Sequence, residues 1–147
     1  MKGLKKLCVL LLAVMTVLFA VVGCNAPNDL EAGKQHLEEN AYKVTESKLE
    51  ISQMHCTATV LTGIMTDRYE RDRVISKIVA VHFDAYSDAT EFYKEYAEDY
   101  KSELFSDYLR WDVEIKKKDN WVVYGKDYTV DNFFALDVDC TGCLGCL

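Results

Sequence analysis

Four cysteines are the residues whose type and spacing could support chemistry. Three of them, Cys140, Cys143 and Cys146, form the run CTGCLGC, in which two residues separate successive cysteines. Thiolates at this spacing can converge on one metal ion, because the glycines between them let the backbone turn. Cys56 could supply a fourth ligand, which would complete the tetrahedral set that zinc prefers. One hypothesis is therefore a zinc site built from these cysteines.

Other chemistries fit the same four cysteines. The run resembles the first three cysteines of a bacterial ferredoxin cluster motif, although the fourth cysteine and the proline of that motif do not follow. His55, beside Cys56, would make the metal set Cys₃His instead of Cys₄. Disulfides are a further option, since they persist outside the cytoplasm and four thiols can pair in several ways. A redox-active C-x-x-C pair, or a tail whose cysteines share no task, also fits the pattern.

The start of the chain has the composition of an export signal. Lys2, Lys5 and Lys6 precede an almost wholly apolar stretch over residues 7–22, interrupted by Thr16. A basic segment, an apolar segment and then a small residue are typical of a secretory signal. The apolar stretch is shorter than the roughly 20 residues that a membrane-spanning helix needs. The pattern therefore favours a cleaved signal over a permanent transmembrane helix.

The end of that stretch, Val21-Val22-Gly23-Cys24, resembles the lipobox of bacterial lipoprotein precursors. The lipobox has an aliphatic residue, a small or aliphatic residue, glycine or alanine, and then cysteine; here valine stands first, where leucine is commonest. The resemblance covers residues 1–24 and implies that Cys24 becomes a diacylglyceryl cysteine at a newly cut N-terminus. It implies a palmitate-carrying lipoprotein of the cell envelope, anchored on the extracytoplasmic face of the cell membrane. The alternative is a secreted or uncleaved protein in which Cys24 is an incidental thiol.

Two acyl chains would explain a stable anchor, because each buried CH₂ contributes about 0.8 kcal/mol and a single chain binds only marginally.

The charge of the remaining chain disfavours some partners. Losing the three signal lysines leaves 14 of the 17 basic residues against 24 acidic ones, a formal net charge of −10. Nucleic acid needs a basic footprint, and so does flat binding to an anionic membrane, so both are disfavoured.

Hydrophobic periodicity predicts one small α+β domain, with a largely antiparallel sheet and amphipathic helices packed on one face of it. Asn28 and Glu31 form a capping box for a first helix, which Asn40 is suited to end. Val74–Phe83 is apolar on both faces and is predicted to be a central strand. The other predicted strands begin at residue 42 or cover 57–66, 111–116 and 121–124, and the other predicted helices cover 87–104 and 127–134.

Three further sets of side chains have both a structural and a chemical interpretation. His82 and Asp84 lie two apart on a predicted strand and could touch one ligand, but such a histidine more often belongs to the core or a sheet edge. A tyrosine stripe on the second helix is more typical of core packing than of a ligand groove. The acidic residues of that helix are more typical of a solvated face than of a calcium site. The stripe consists of Tyr93, Tyr96 and Tyr100, and the acidic set of Glu95, Glu98 and Asp99.

These patterns divide the chain into a signal peptide over 1–23, a lipidated N-terminus and short tether over 24–28, a domain over 29–136 and a cysteine-rich tail over 137–147. The favoured function is a membrane-anchored extracytoplasmic lipoprotein whose domain binds a protein, a peptide or an envelope ligand. We expect no required cofactor, no nucleic-acid partner and a binding role in preference to an enzymatic one. The alternative is a metal-binding or thiol-redox protein that uses Cys140, Cys143, Cys146 and Cys56.

Overall fold

The computed structural model describes residues 27–70, 73–105 and 112–134. Cys24 and the cysteine run at residues 140–146 lie outside these ranges, so the predictions made for them stay predictions. The helices are α1 (Leu30–Glu39), α2 (Tyr86–Glu95), α3 (Ala97–Leu104) and α4 (Asp127–Phe134). The strands are β1 (Lys43–Ile51), β2 (Cys56–Thr66), β3 (Val74–His82), β4 (Glu114–Lys118) and β5 (Trp121–Gly125), with a short 3₁₀ turn at Ser52–Met54.

The strands form one five-stranded sheet in the order β1-β2-β3-β5-β4, and every neighbouring pair is antiparallel. β3 lies in the middle, between β2 and β5, and its residues from Ser76 to Val81 are buried whichever face they point to. A strand covered on both faces needs apolar residues at consecutive positions instead of alternate ones. The sequence-based prediction of an α+β domain with an antiparallel sheet and a central third strand is confirmed.

The helices cover both faces of the sheet, whereas the sequence predicted that they would share one. Helices α2 and α3 pack on one face, the α2/α3 face, through Ala89, Phe92 and Ala97. Helices α1 and α4 pack on the other, the α1/α4 face, where Leu37 and Phe133 belong to one buried cluster with strand residues. The reason is that the inner strands carry apolar side chains on both sides, so each face needs its own cover. The α1/α4 face is formed on the sheet side by Leu61, Ile78, Ala80, Trp121 and Val123.

Helix boundaries differ from the predictions in two places. Asp29, and not Asn28, caps α1, because its side chain accepts a hydrogen bond of 2.8 Å from the backbone N–H of Ala32. The predicted helix over 87–104 begins instead at Tyr86 and is interrupted at Tyr96, which separates α2 from α3. Helix α4 covers the predicted residues 127–134, and α1 ends at Asn40 as expected. Among the residues that the structure describes, no helix is both long and apolar enough to cross a membrane.

Candidate functional site

The N-terminal end of the described chain is fixed to the core by one buried hydrogen bond. The indole Nε1 of Trp121 donates to the carbonyl oxygen of Pro27 over 2.9 Å. Pro27 is buried, and Trp121 is only 1% exposed. A buried carbonyl without a hydrogen-bond partner would destabilise the fold by about 1–3 kcal/mol, so this hydrogen bond stabilises the buried position of Pro27. We call this contact the N-terminal junction.

The indole of Trp121 is held tightly from several sides. A Cβ on Gly33 of α1 would lie 2.6 Å from Cη2 of Trp121, which is closer than carbon atoms approach. Glycine at this position therefore lets α1 lie directly on the indole. The ring of Phe133 in α4 meets the indole edge-on at 5.2 Å between centroids, and the ring of His82 in β3 lies 4.5 Å away. The junction thus joins α1, α4 and two strands.

His82 contributes to this packing and does not act as a free ligand. Burial lowers the pKa of its imidazole, while Asp84 and Asp29 oppose the shift by attracting a proton. The sequence suggested that His82 and Asp84 could touch one ligand. In the structure the ring of His82 packs against Trp121 at a tilt of 60°, and the carbonyl of Asp84 accepts a hydrogen bond of 3.2 Å from the side chain of Asn120. This favours the structural interpretation of the pair.

The junction marks one end of the sheet, which we call the N-terminal end. Here β3 finishes at His82, opposite Trp121 at the start of β5, and the backbone N–H of Phe83 donates to Asn120 over 2.9 Å. The opposite end, the loop end, holds the connection between β2 and β3. There the side chain of Asp67 accepts from the backbone N–H of Tyr69, and this bond lowers the pKa of the Asp67 carboxyl. Tyr69 itself is 96% exposed.

A groove of about 440 Å³ lies on the α2/α3 face, between the helices and edge strand β4. Its apolar part consists of Ala97, Val113 and Ile115, and its polar part of Lys94, Glu98 and Glu114, with Tyr93 beside both. Tyr93 is 40% exposed, more than the core-facing tyrosines Tyr96 and Tyr100. The expected tyrosine stripe therefore divides, because the helix is interrupted at Tyr96 and only the later members pack inward. The groove therefore presents both apolar and polar side chains to solvent.

The acidic set expected on the second helix has the solvated character that the sequence suggested. Glu95, Glu98 and Asp99 are exposed. Glu98 lies 3.6 Å from the ammonium of Lys101 and also lines the groove. In the part of the chain that the structure describes, no group of three or more His, Cys, Asp or Glu side chains is placed to hold a metal ion.

Lys116 forms two ion pairs on the α1/α4 face. Its Nζ lies 2.5 Å from Oδ1 of Asp127 and 2.6 Å from Oδ1 of Asp131, both in α4. The hydrogen bond to Asp127 and then that to Asp131 raise the pKa of Lys116 above its ordinary value of 10.5. The side chain of Asp131 is only 11% exposed, whereas those of Lys116 and Asp127 are 30% and 63% exposed, so the contact joins β4 to α4 at a partly solvent-exposed position.

Cys56 is a half-buried free thiol at the start of β2. Burial is the main cause that raises the pKa of this thiol, and the carboxylates of Asp88 and Glu91 add to it. A raised pKa disfavours the thiolate, which is the form that attacks disulfides or binds metals. His55, beside it, is exposed. The partners suggested for Cys56, namely Cys140, Cys143 and Cys146, lie outside the described residues.

The sequence identified neither the junction nor the groove as sites. Trp121 and Gly33 were visible only as a strand residue and a helix residue, and Pro27 and Trp121 are 94 positions apart. The groove joins residues from two helices and a strand, so only the folded chain brings them together. No family model, no curated protein and no solved structure matches this chain.

Proposed function

We propose that the chain is a lipoprotein, anchored through a diacylglyceryl group on Cys24 to the extracytoplasmic face of the cell membrane, and that its domain binds a partner. The observation that carries the proposal is the burial of Pro27 by Trp121. Only two residues separate Cys24 from Pro27 in the sequence. A lipid on Cys24 would thus be joined to the folded core by a very short tether, which suits a domain that works at the membrane surface.

The groove on the α2/α3 face is the binding site in this proposal. A lining of one exposed tyrosine, three apolar side chains, one lysine and two glutamates suits a ligand that has both apolar and polar parts. Peptides, protein segments and envelope polymers have that character. The acidic balance of the chain disfavours nucleic acid as a ligand.

The two largest pKa shifts among the described residues belong to Tyr124 and Lys116. The hydroxyl of Tyr124 donates to the carbonyl of Ala97 over 2.9 Å in the core, and burial raises the pKa of that hydroxyl. Lys116 is held by two carboxylates on the opposite face from the groove. Catalytic acids and bases combine a shifted pKa with access to a substrate. The Tyr124 hydroxyl has the shift without access, and the Lys116 ammonium is held by two carboxylates of α4, so we assign both groups structural roles.

Metabolic labelling with palmitate tests the anchor. In a bacterial host that processes lipoproteins, the full-length chain should incorporate the label and sediment with membranes. Cys24→Ala should remove the label and leave an unprocessed or released form, whereas Cys56→Ala, the matched control, should label normally. Labelled and processed protein from Cys24→Ala would contradict the proposal.

Photo-crosslinking tests the groove. A benzophenone amino acid at position 93 lies in the groove, and one at position 128, an exposed tyrosine on α4, lies on the opposite face. In living cells the first should give a defined adduct that the second does not give. The same adducts from both positions would argue against the groove as the binding site.

A further inference from the structure

The position of Pro27 fixes which end of the domain lies near the lipid. The N-terminal junction buries Pro27 at the end of the sheet where β3 finishes and β5 begins. A fully extended chain spans at most about 3.6 Å per residue, so the three steps from Cys24 to Pro27 cover no more than about 11 Å. A lipid on Cys24 would therefore hold this end, and not the loop end, close to the headgroups.

Two side chains at the N-terminal end have the chemistry of a membrane interface. Tyr86, at the start of α2, is 61% exposed, and the Nζ of Lys117 lies 3.8 Å from the centroid of its ring. Lys117 stands in β4, next to the β4–β5 turn, and that turn is joined to Asp84 by the side chain of Asn120. Tyrosine is enriched where hydrocarbon meets headgroups, and lysine is attracted to anionic lipid.

We propose that the surface formed by Tyr86, Lys117 and the turn at Asp119–Asn120 faces the lipid headgroups of the membrane that holds the anchor. This inference rests on the proposed lipidation of Cys24. The short tether sets the orientation, and Tyr86 with Lys117 makes the contact. Asp29, Asp84 and Asp119 lie at the same end, so their negative charge limits electrostatic attraction and leaves the tether as the main cause.

The same orientation directs the groove away from the membrane. Glu114, in the groove, pairs with Gly125, whereas Lys118 at the other end of β4 pairs with Trp121 of the junction. The groove therefore lies in the half of the sheet toward the loop end. The eleven residues of β2 span about 35 Å at roughly 3.3 Å each, which gives the length of the domain along the strands. A partner would reach the groove from the aqueous side.

Three exposed tyrosines allow a direct test. Tyr86 lies at the N-terminal end, while Tyr69 in the β2–β3 connection and Tyr128 at the start of α4 lie toward the loop end. Each is replaced singly by a fluorescent amino acid in the full-length lipidated protein. The proteins are reconstituted into vesicles of phosphatidylethanolamine and phosphatidylglycerol that contain a headgroup-spin-labelled lipid. Position 86 should be quenched several-fold more than positions 69 and 128.

Vesicle flotation and intact mass separate the two proposals. Protein that carries no diacylglyceryl mass and does not float with vesicles would overturn both the anchor and the orientation. Protein that floats, but shows equal quenching at the three positions or stronger quenching at 69, would overturn the orientation alone. Lengthening the tether with ten Gly and Ser residues between Ala26 and Pro27 should abolish the preference for position 86. An undiminished preference would overturn the role given to the short tether.

Discussion

The two faces of the sheet differ in how closely the helices cover them. On the α1/α4 face, the indole of Trp121 leaves no room for a side chain on Gly33, and Lys116 bridges β4 to α4. On the α2/α3 face, the covering helix is interrupted at Tyr96, Cys56 is only partly covered, and a groove opens beside β4. The difference shows that the first face holds the N-terminus, while the second leaves a groove open to solvent.

The largest effect is expected from Trp121→Ala. Removing the indole leaves a cavity and should lower the free energy of unfolding by about 3–5 kcal/mol, as measured by urea denaturation. Phe92→Ala, on the α2/α3 face, should cost a similar amount. Only the first should increase proteolytic cleavage near Pro27 under native conditions, because only Trp121 holds that carbonyl. Equal cleavage in both variants would remove the distinction between the faces.

Gly33→Ala gives a smaller but more specific effect. In an exposed helix this change would stabilise by up to about 1 kcal/mol. Here the new Cβ would meet Trp121 at 2.6 Å, so we expect a net loss of about 1–3 kcal/mol from overpacking. Gly125→Ala is the control, since its Cβ would lie 3.3 Å from Val130. A stabilised Gly33→Ala variant would mean that the indole has room to move.

Lys116→Met should lower the free energy of unfolding by about 1–2 kcal/mol, since it removes two charge-assisted bonds that are partly open to solvent. Lys94→Met, in the groove, should change it by less than about 0.5 kcal/mol. The folded-state pKa of Lys116 is raised, so its contribution is fully present below the ordinary pKa of 10.5 and is lost only at higher pH. A contribution that disappears near neutral pH would contradict this assignment.

Protonation of His82 at mildly acidic pH should destabilise the packing of the α1/α4 face. Its pKa is lowered in the folded state, mainly by burial, so the unfolded chain binds the proton more readily. Stability from this group is therefore present above the ordinary pKa of 6.5 and falls as the pH drops through and below that value. His82→Gln should flatten the fall in urea midpoint, whereas His55→Gln, at an exposed position, should not. An unchanged pH profile in His82→Gln would exclude His82 as the cause.

The smallest effect on stability is expected in the groove. Tyr93→Ala should lower the free energy of unfolding by less than about 1 kcal/mol, because Tyr93 is already 40% exposed in the folded chain. Glu98→Gln should behave in the same way. Either change should reduce partner crosslinking from a neighbouring groove position such as Lys94, while Tyr128→Ala should leave it intact. Normal crosslinking in both groove variants would move the binding site elsewhere.

The local sequence pattern predicted the individual helices and strands better than it predicted how they pack together. β3 was recognisable because consecutive apolar residues are required in a central strand, and α4 because Asp127 begins a helical pattern ending at Phe134. The side on which each helix packs depends on which apolar stripe of the sheet it covers, and two such stripes were present. The prediction of one shared face was wrong because the inner strands carry apolar side chains on both faces, and each set is covered by its own pair of helices.

The candidate sites were less predictable because they depend on contacts between distant residues. Nothing local to Pro27 signals a bond to Trp121, and nothing local to Tyr93 signals the proximity of Val113. The cysteine run, by contrast, was conspicuous from its spacing, and its role remains a prediction. Spacing along the chain identifies chemistry only where the ligands are neighbours in sequence.

The separation between Pro27 and Trp121 also has a consequence for biogenesis. The two residues are 94 positions apart, so their hydrogen bond can form only after almost the whole domain has been synthesised. Contacts of such long range are completed late, because closing a long loop costs entropy before the contact stabilises it. Until β5 arrives, Pro27 lacks the indole that later buries it. Under the proposed lipidation of Cys24, the processing enzymes would therefore act on the chain before Pro27 is fixed to the core.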